Sequence, residues 1–225
     1  MGCDIHVLTE QFLTSGKWFN ADYWKYNFYY DPEDDTDLKM DLVSFFDDRN
    51  YELFATLANV RNGASIWEIM EGNADKCKPL PIIAEPKGLP SDLDIHTKEY
   101  IDSWGCDAHS HSFFTLKELY TYWINSPKTI TRSGVLVGDV LTDFDEKGIL
   151  SKCWFKGYIG SEKSAHRTWE VEYNPLDTFM EALFKRFDDV MWNFGYSEAD
   201  RKSEKYQKII EDKGARFRVV FFFDN

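Results

Sequence analysis

The residues that most constrain the fold are the last nine, Phe217-Arg218-Val219-Val220-Phe221-Phe222-Phe223-Asp224-Asn225, because the run is apolar on both of its alternating faces. A strand of that kind belongs in the middle of a sheet, covered above and below, and not at a solvated edge. Near the start of the chain, Cys3, Ile5 and Val7 alternate with Asp4, His6 and Leu8, the period of two that makes a strand and puts Asp4 and His6 on one face. Both segments are expected as core strands of one central sheet, mixed or antiparallel.

Helical signals lie between them. Leu53, Phe54, Leu57, Ala58 and Val60 form one apolar helical face over Tyr51–Val60, stopped by Arg61-Asn62-Gly63. A helix from about Asp92 to Trp104, capped by Ser91, follows the proline-rich coil Lys78–Pro90. Thr115 and Glu118 have the capping-box spacing for a helix over Leu116–Ile124. Amphipathic patterns predict helices over Leu176–Phe194 and Ser197–Lys213. Between Thr129 and Tyr173, β-branched and aromatic clusters broken by glycines predict short antiparallel strands, while the aromatic, acidic stretch Asp22–Asp48 reads as loop and turns, apart from a short strand at Lys17–Phe19 just before it. No repeat, low-complexity tract or Gly/Ser linker interrupts the pattern, so the expectation is a single α+β domain over residues 1–225, its sheet flanked by helices.

Composition narrows the partners. A net charge of -13 disfavours duplex DNA, whose non-specific binding draws its energy from Lys and Arg on phosphates. A small anionic ligand or nucleotide remains compatible, because a few local cations or a bound metal ion can invert the field of one cleft. Cys3, Cys77, Cys106 and Cys153 are scattered and no apolar run reaches membrane-spanning length, so reduced thiols, a cytoplasmic location and no membrane attachment are expected.

Chemistry concentrates in one set, Asp4 and His6 with Asp107, His109 and His111. Residues two apart on a strand lie roughly 6.5 to 7 Å from each other on one face, so Asp4/His6 and an extended Asp107-x-His109-x-His111 can each close on one ion. Five such ligands suit a divalent metal, zinc, manganese or iron, whose bound hydroxide would attack a phosphoester; the five are then metal ligands and catalytic residues of a hydrolase together. Asp224 can add a carboxylate. The structural reading of the same residues makes Asp107, Ser110 and Ser112 turn and capping groups and His6 a core histidine bonded to Asp4. A further reading lines a nucleotide pocket with the cluster plus Arg49, Arg61, Asn62 and Lys87, with Trp18, Trp24, Trp67 or Trp104 stacking on a base and no turnover.

Met1-Gly2-Cys3-Asp4-Ile5-His6, Arg49-Asn50-Tyr51-Glu52-Leu53-Phe54, Val60-Arg61-Asn62-Gly63, Ile83-Ala84-Glu85-Pro86-Lys87-Gly88-Leu89-Pro90 and Asp107-Ala108-His109-Ser110-His111-Ser112 resemble an uncharacterised family of bacteriophage and prophage proteins. The likeness lies mainly in the first half of the chain. It implies a viral protein in the cytoplasm of an infected bacterium, a setting in which accessory proteins disarm host defence by degrading or sequestering a nucleotide signal or by binding a host defence protein. The Asp-x-His on a first strand also resembles the His-x-His of amidohydrolase-type metal enzymes, with Asp4 where a histidine stands there and a chain too short for their complete barrel.

Overall fold

A computed structural model describes residues 3–33, 38–63, 69, 72, 74–148, 163–191 and 197–224. The chain divides into two compact units, the first made of residues 1–60, 82–126 and 175–225 and the second of residues 61–81 and 127–174.

In the first unit, strands β1 (Ile5–Phe12), β2 (Trp18–Asn20), β5 (His109–Thr115) and β8 (Phe217–Phe223) form an antiparallel sheet in the order β2-β1-β8-β5. The α+β class, with both terminal strands side by side in the sheet and helices flanking it, is as the sequence implies. β8 pairs with β1 from Ile5↔Phe223 to Gln11↔Phe217, and every residue of β8 is buried. The reason lies in two apolar layers. On one face Val219, Phe221 and Phe223 join Val7 and Phe114 in a core closed by α1 (Tyr51–Ala58), α3 (Leu116–Asn125), α5 (Asp177–Val190) and α7 (Glu204–Lys213). On the other, Val220 and Phe222 join Leu8 and Ile101 of α2 (Ile95–Ser103), with Trp24 and Leu42 packed alongside. Full burial of a phenylalanine stabilises by roughly 1.5–3 kcal/mol, so β8 is the strand on which both layers depend.

The helix ends follow local chemistry. The Asn50 side chain accepts from the N–H groups of Glu52 and Leu53, and Asn59 closes α1 in the left-handed region at φ 58°. Thr115 and Glu118 form the expected capping box of α3. α2 begins later than Ser91 suggests, at Asp94, whose side chain caps His96 N–H and whose own N–H donates to Glu10 at 2.9 Å. The Ser197–Lys213 segment is two helices, α6 (Glu198–Arg201) and α7, each with its own serine cap, Ser197 and Ser203.

The stretch expected as loop, Asp22–Asp48, holds a hairpin of β3 (Tyr23–Tyr26) and β4 (Met40–Val43). Its strands are four residues each, too short to register against the acidic composition around them. In the second unit, β6 (Thr129–Val137) and β7 (Ser164–Glu172) pair antiparallel as the sequence implies, but a helix, α4 (Gly138–Lys147), stands between them. Arg167 ties α4 to β7 through two 2.8 Å bonds to Asp145. The Asn62 side chain clasps the backbone of Leu80, donating to its carbonyl and accepting from its N–H at 2.9 and 2.7 Å. Among the described residues no helix is long and apolar enough to cross a membrane. Cys3, Cys77 and Cys106 form no disulfide, and Cys153, Trp67 and the last turn expected of α5, residues 192–194, lie outside the described residues.

Candidate functional site

The antiparallel register brings the Asp/His set to one end of the sheet. β1 begins, β8 ends and β5 begins at the same level, with Ile5 opposite Phe223 and Phe223 opposite His109. The side chains then part company. His6 stacks on Phe222 at 4.7 Å between ring centres and His111 stacks on the same ring at 5.8 Å, so these two share a face. His109 lies against Phe223, on the opposite face, at 6.2 Å. Simple alternation would have put His109 and His111 together. A β-bulge separates them: the pairing shifts between His109 and Ser112, and Ser110 takes φ 52°.

Of the remaining expected ligands, Asp4 and His6 are engaged by other partners and Asp107 stands on an exposed turn. Asp4 receives Arg49 in a bidentate pair, Nε to Oδ1 at 2.6 Å and Nη2 to Oδ2, and these hydrogen bonds hold its carboxyl below the usual range. Asp107 is exposed in a single 3₁₀ turn, Gly105–Asp107. His6 Nε2 lies 3.2 Å from Asp224 Oδ2, while Asp224 Oδ1 accepts from Asp4 N–H at 2.8 Å. The other ring nitrogen, His6 Nδ1, faces the Tyr100 hydroxyl at 3.5 Å. Among the described residues no three His, Cys, Asp or Glu side chains stand together as a metal site requires. The five residues therefore do not fit a shared metal ion in this arrangement, and His6 pairs instead with Asp224.

The expected ligand-binding residues are likewise distributed. Lys87 Nζ pairs with Glu118 at 3.0 Å and sits over the Phe114 ring at 4.2 Å, and its N–H donates to Ser112 Oγ at 3.2 Å. Gly88 N–H donates to His111 O at 3.0 Å, so the proline-rich segment covers the outer edge of β5. Arg61 is exposed at φ 54° and belongs with Asn62 to the second unit. Trp18 lies under the Arg218 guanidinium at 4.0 Å. Trp104 meets the histidines, its ring 4.0 Å from that of His6.

A groove opens beside this cluster. It has a volume of about 360 Å³ and is lined by Trp24, Leu38, Lys39, Met40, His96, Glu99 and Tyr100. β3 and β4 form one wall, since Trp24 pairs with Leu42 and Tyr26 with Met40 on a common face. α2 forms the other: His96, Tyr100 and Trp104 recur at intervals of four along one helical stripe, with Glu99 beside them. Trp24 and Tyr100 meet edge to face at 5.8 Å, and Trp24 Nε1–H donates to Asn20 Oδ1 at 2.9 Å, which fixes the indole plane. Burial raises the Tyr100 pKa, so its hydroxyl stays protonated. Tyr100 thus joins the groove to the His6–Asp224 pair. Lys39, Met40, His96, Glu99 and Tyr100 escaped the sequence reading; the four-residue spacing of His96, Tyr100 and Trp104 was the available signal. No protein-family model, curated protein or solved structure matches the chain.

Proposed function

We propose that the protein is a binding module that holds a small planar anionic ligand of the nucleotide class in the Trp24–Tyr100 groove without turning it over. The observation that carries this reading is the groove itself: an aromatic and apolar wall of about 360 Å³, within the roughly 300–1,000 Å³ range of small-molecule sites. A base would lie against Trp24 and Tyr100, and Lys39 stands at the same groove for a phosphate, while His96 Nδ1 lies 3.5 Å from Glu99 Oε2. The Asp/His set beside it supports holding over turnover, because Asp4 is taken by Arg49 and His6 by Asp224. In the infected bacterial cytoplasm implied by the phage resemblance, such a ligand would be a host-defence signal and the effect would be sequestration.

The test combines calorimetry against a panel of mono- and cyclic nucleotides with elemental analysis of protein purified without added metal. Expected is saturable binding that weakens about tenfold or more in Trp24→Ala, since base stacking is worth roughly 1–3 kcal/mol, with no phosphate released. Stoichiometric metal that disappears in Asp4→Ala and His109→Ala, together with phosphate release, would replace this reading with metal-dependent hydrolysis. No binding by any member of the panel would also sink it.

A further inference from the structure

Beyond the groove wall, the turn of the β3–β4 hairpin carries an exposed apolar surface. Phe28 is 86% exposed and Tyr29 94% exposed at its turn, and Tyr26 follows at 47%. Tyr26 and Phe28 pack edge to face at 5.5 Å, so they present one continuous aromatic ledge. The turn is built to hold it. Asn27 N–H donates to Lys39 O and Asn27 Nδ2 to Leu38 O, each at 3.0 Å, while Asn27 Oδ1 accepts from Tyr29 N–H at 2.9 Å. Asp31 Oδ1 accepts from Glu33 N–H at 2.9 Å just beyond. Large aromatics cost free energy when left in water, and their clustering on a hydrogen-bonded turn marks a docking surface.

Charge selects the occupant. Residues 23–43 hold Lys25 and Lys39 against Asp31, Glu33, Asp34, Asp35, Asp37 and Asp41, a net of −4, in a chain whose net charge is -13. A second copy of this chain, an anionic membrane and a nucleic acid would each be repelled by that field. We propose that the Phe28–Tyr29 tip docks a partner protein whose surface offers an apolar pocket ringed by lysine and arginine. Aromatic anchors supply the desolvated centre of such an interface, and Asp31 and Glu33, both exposed, supply its charged rim.

The experiment is selection of a random dodecapeptide library on yeast against the full chain, followed by synthesis of the leading peptide. Enriched sequences are expected to carry an apolar or aromatic centre flanked by Lys or Arg. Phe28→Ser with Tyr29→Ser should weaken the lead peptide about tenfold or more, and Asp31→Asn with Glu33→Gln should weaken it severalfold and flatten its salt dependence. Both double variants should keep the melting temperature and circular dichroism of the parent, because the altered side chains are exposed. The Phe28→Ser, Tyr29→Ser variant should keep the nucleotide binding of the parent, because neither residue lines the groove, which separates this surface from it. Enrichment of neutral or acidic peptides, peptide binding indifferent to Phe28 and Tyr29, self-association abolished by the aromatic double variant, or binding to phosphatidylglycerol vesicles would each overturn the proposal.

Discussion

Removing the Arg218 charge tests how the groove wall is anchored. Arg218 lies on β8 and donates Nε to Glu10 Oε2 at 2.7 Å, Nη1 to Asp92 Oδ1 at 2.7 Å and Nη2 to the Asp92 carbonyl at 3.1 Å. Glu10 is fully buried, and its other oxygen accepts from Asp94 N–H, the residue that caps α2. One buried ion pair therefore connects the central strands to the start of the helix that carries His96, Glu99 and Tyr100. Arg218→Met leaves Glu10 as an uncompensated buried charge, a loss of about 3–5 kcal/mol, against a typical domain stability of about 5–15 kcal/mol. Adding Glu10→Gln removes that charge and keeps an oxygen for Asp94 N–H. What remains is an amide NH₂ without its acceptor, costing about 1–3 kcal/mol. The double variant should thus recover about 2 kcal/mol relative to Arg218→Met. Urea unfolding followed by tryptophan fluorescence and circular dichroism, with the m-value as a check on cooperativity, measures both. A loss under about 1 kcal/mol for Arg218→Met, or a double variant no more stable than the single, would refute the argument that desolvated charge dominates here.

Two further predictions concern the histidine end of the sheet. Burial, with His109 nearby as the smaller cause, lowers the His111 pKa, so the unfolded chain takes up the proton first as pH falls through about 6.5. The contribution of His111 to stability is therefore complete above that pH and diminishes below it; between pH 7.5 and 5.5 His111→Gln should lose less melting temperature than the parent, and equal losses would contradict the assignment. Ser110 holds the bulge at φ 52° and its Oγ lies 3.0 Å from His109 Nδ1. A β-branched side chain is strained there, so Ser110→Val should cost about 2 kcal/mol in urea unfolding while Ser110→Gly stays within about 0.5 kcal/mol of the parent; a neutral Ser110→Val would argue against the bulge.

The sequence by itself determined the elements whose signal is local. The two-sided apolar run Phe217–Phe223 is the buried strand between β1 and β5, because no other place covers both faces. The Thr115–Glu118 box starts α3, because its bonds close within four residues. Tertiary structure decided the rest. Whether Asp4 faces a metal or Arg49, and whether His6 bonds Asp4 or Asp224, depends on partners 45 and 218 residues away, which spacing along one strand does not encode. The bulge at Ser110 alone reverses the shared face expected of His109 and His111, since one extra residue inverts a period of two. The Trp24–Tyr100 groove exists only where a four-residue hairpin strand meets a helix, and neither segment carries that meeting in its own pattern.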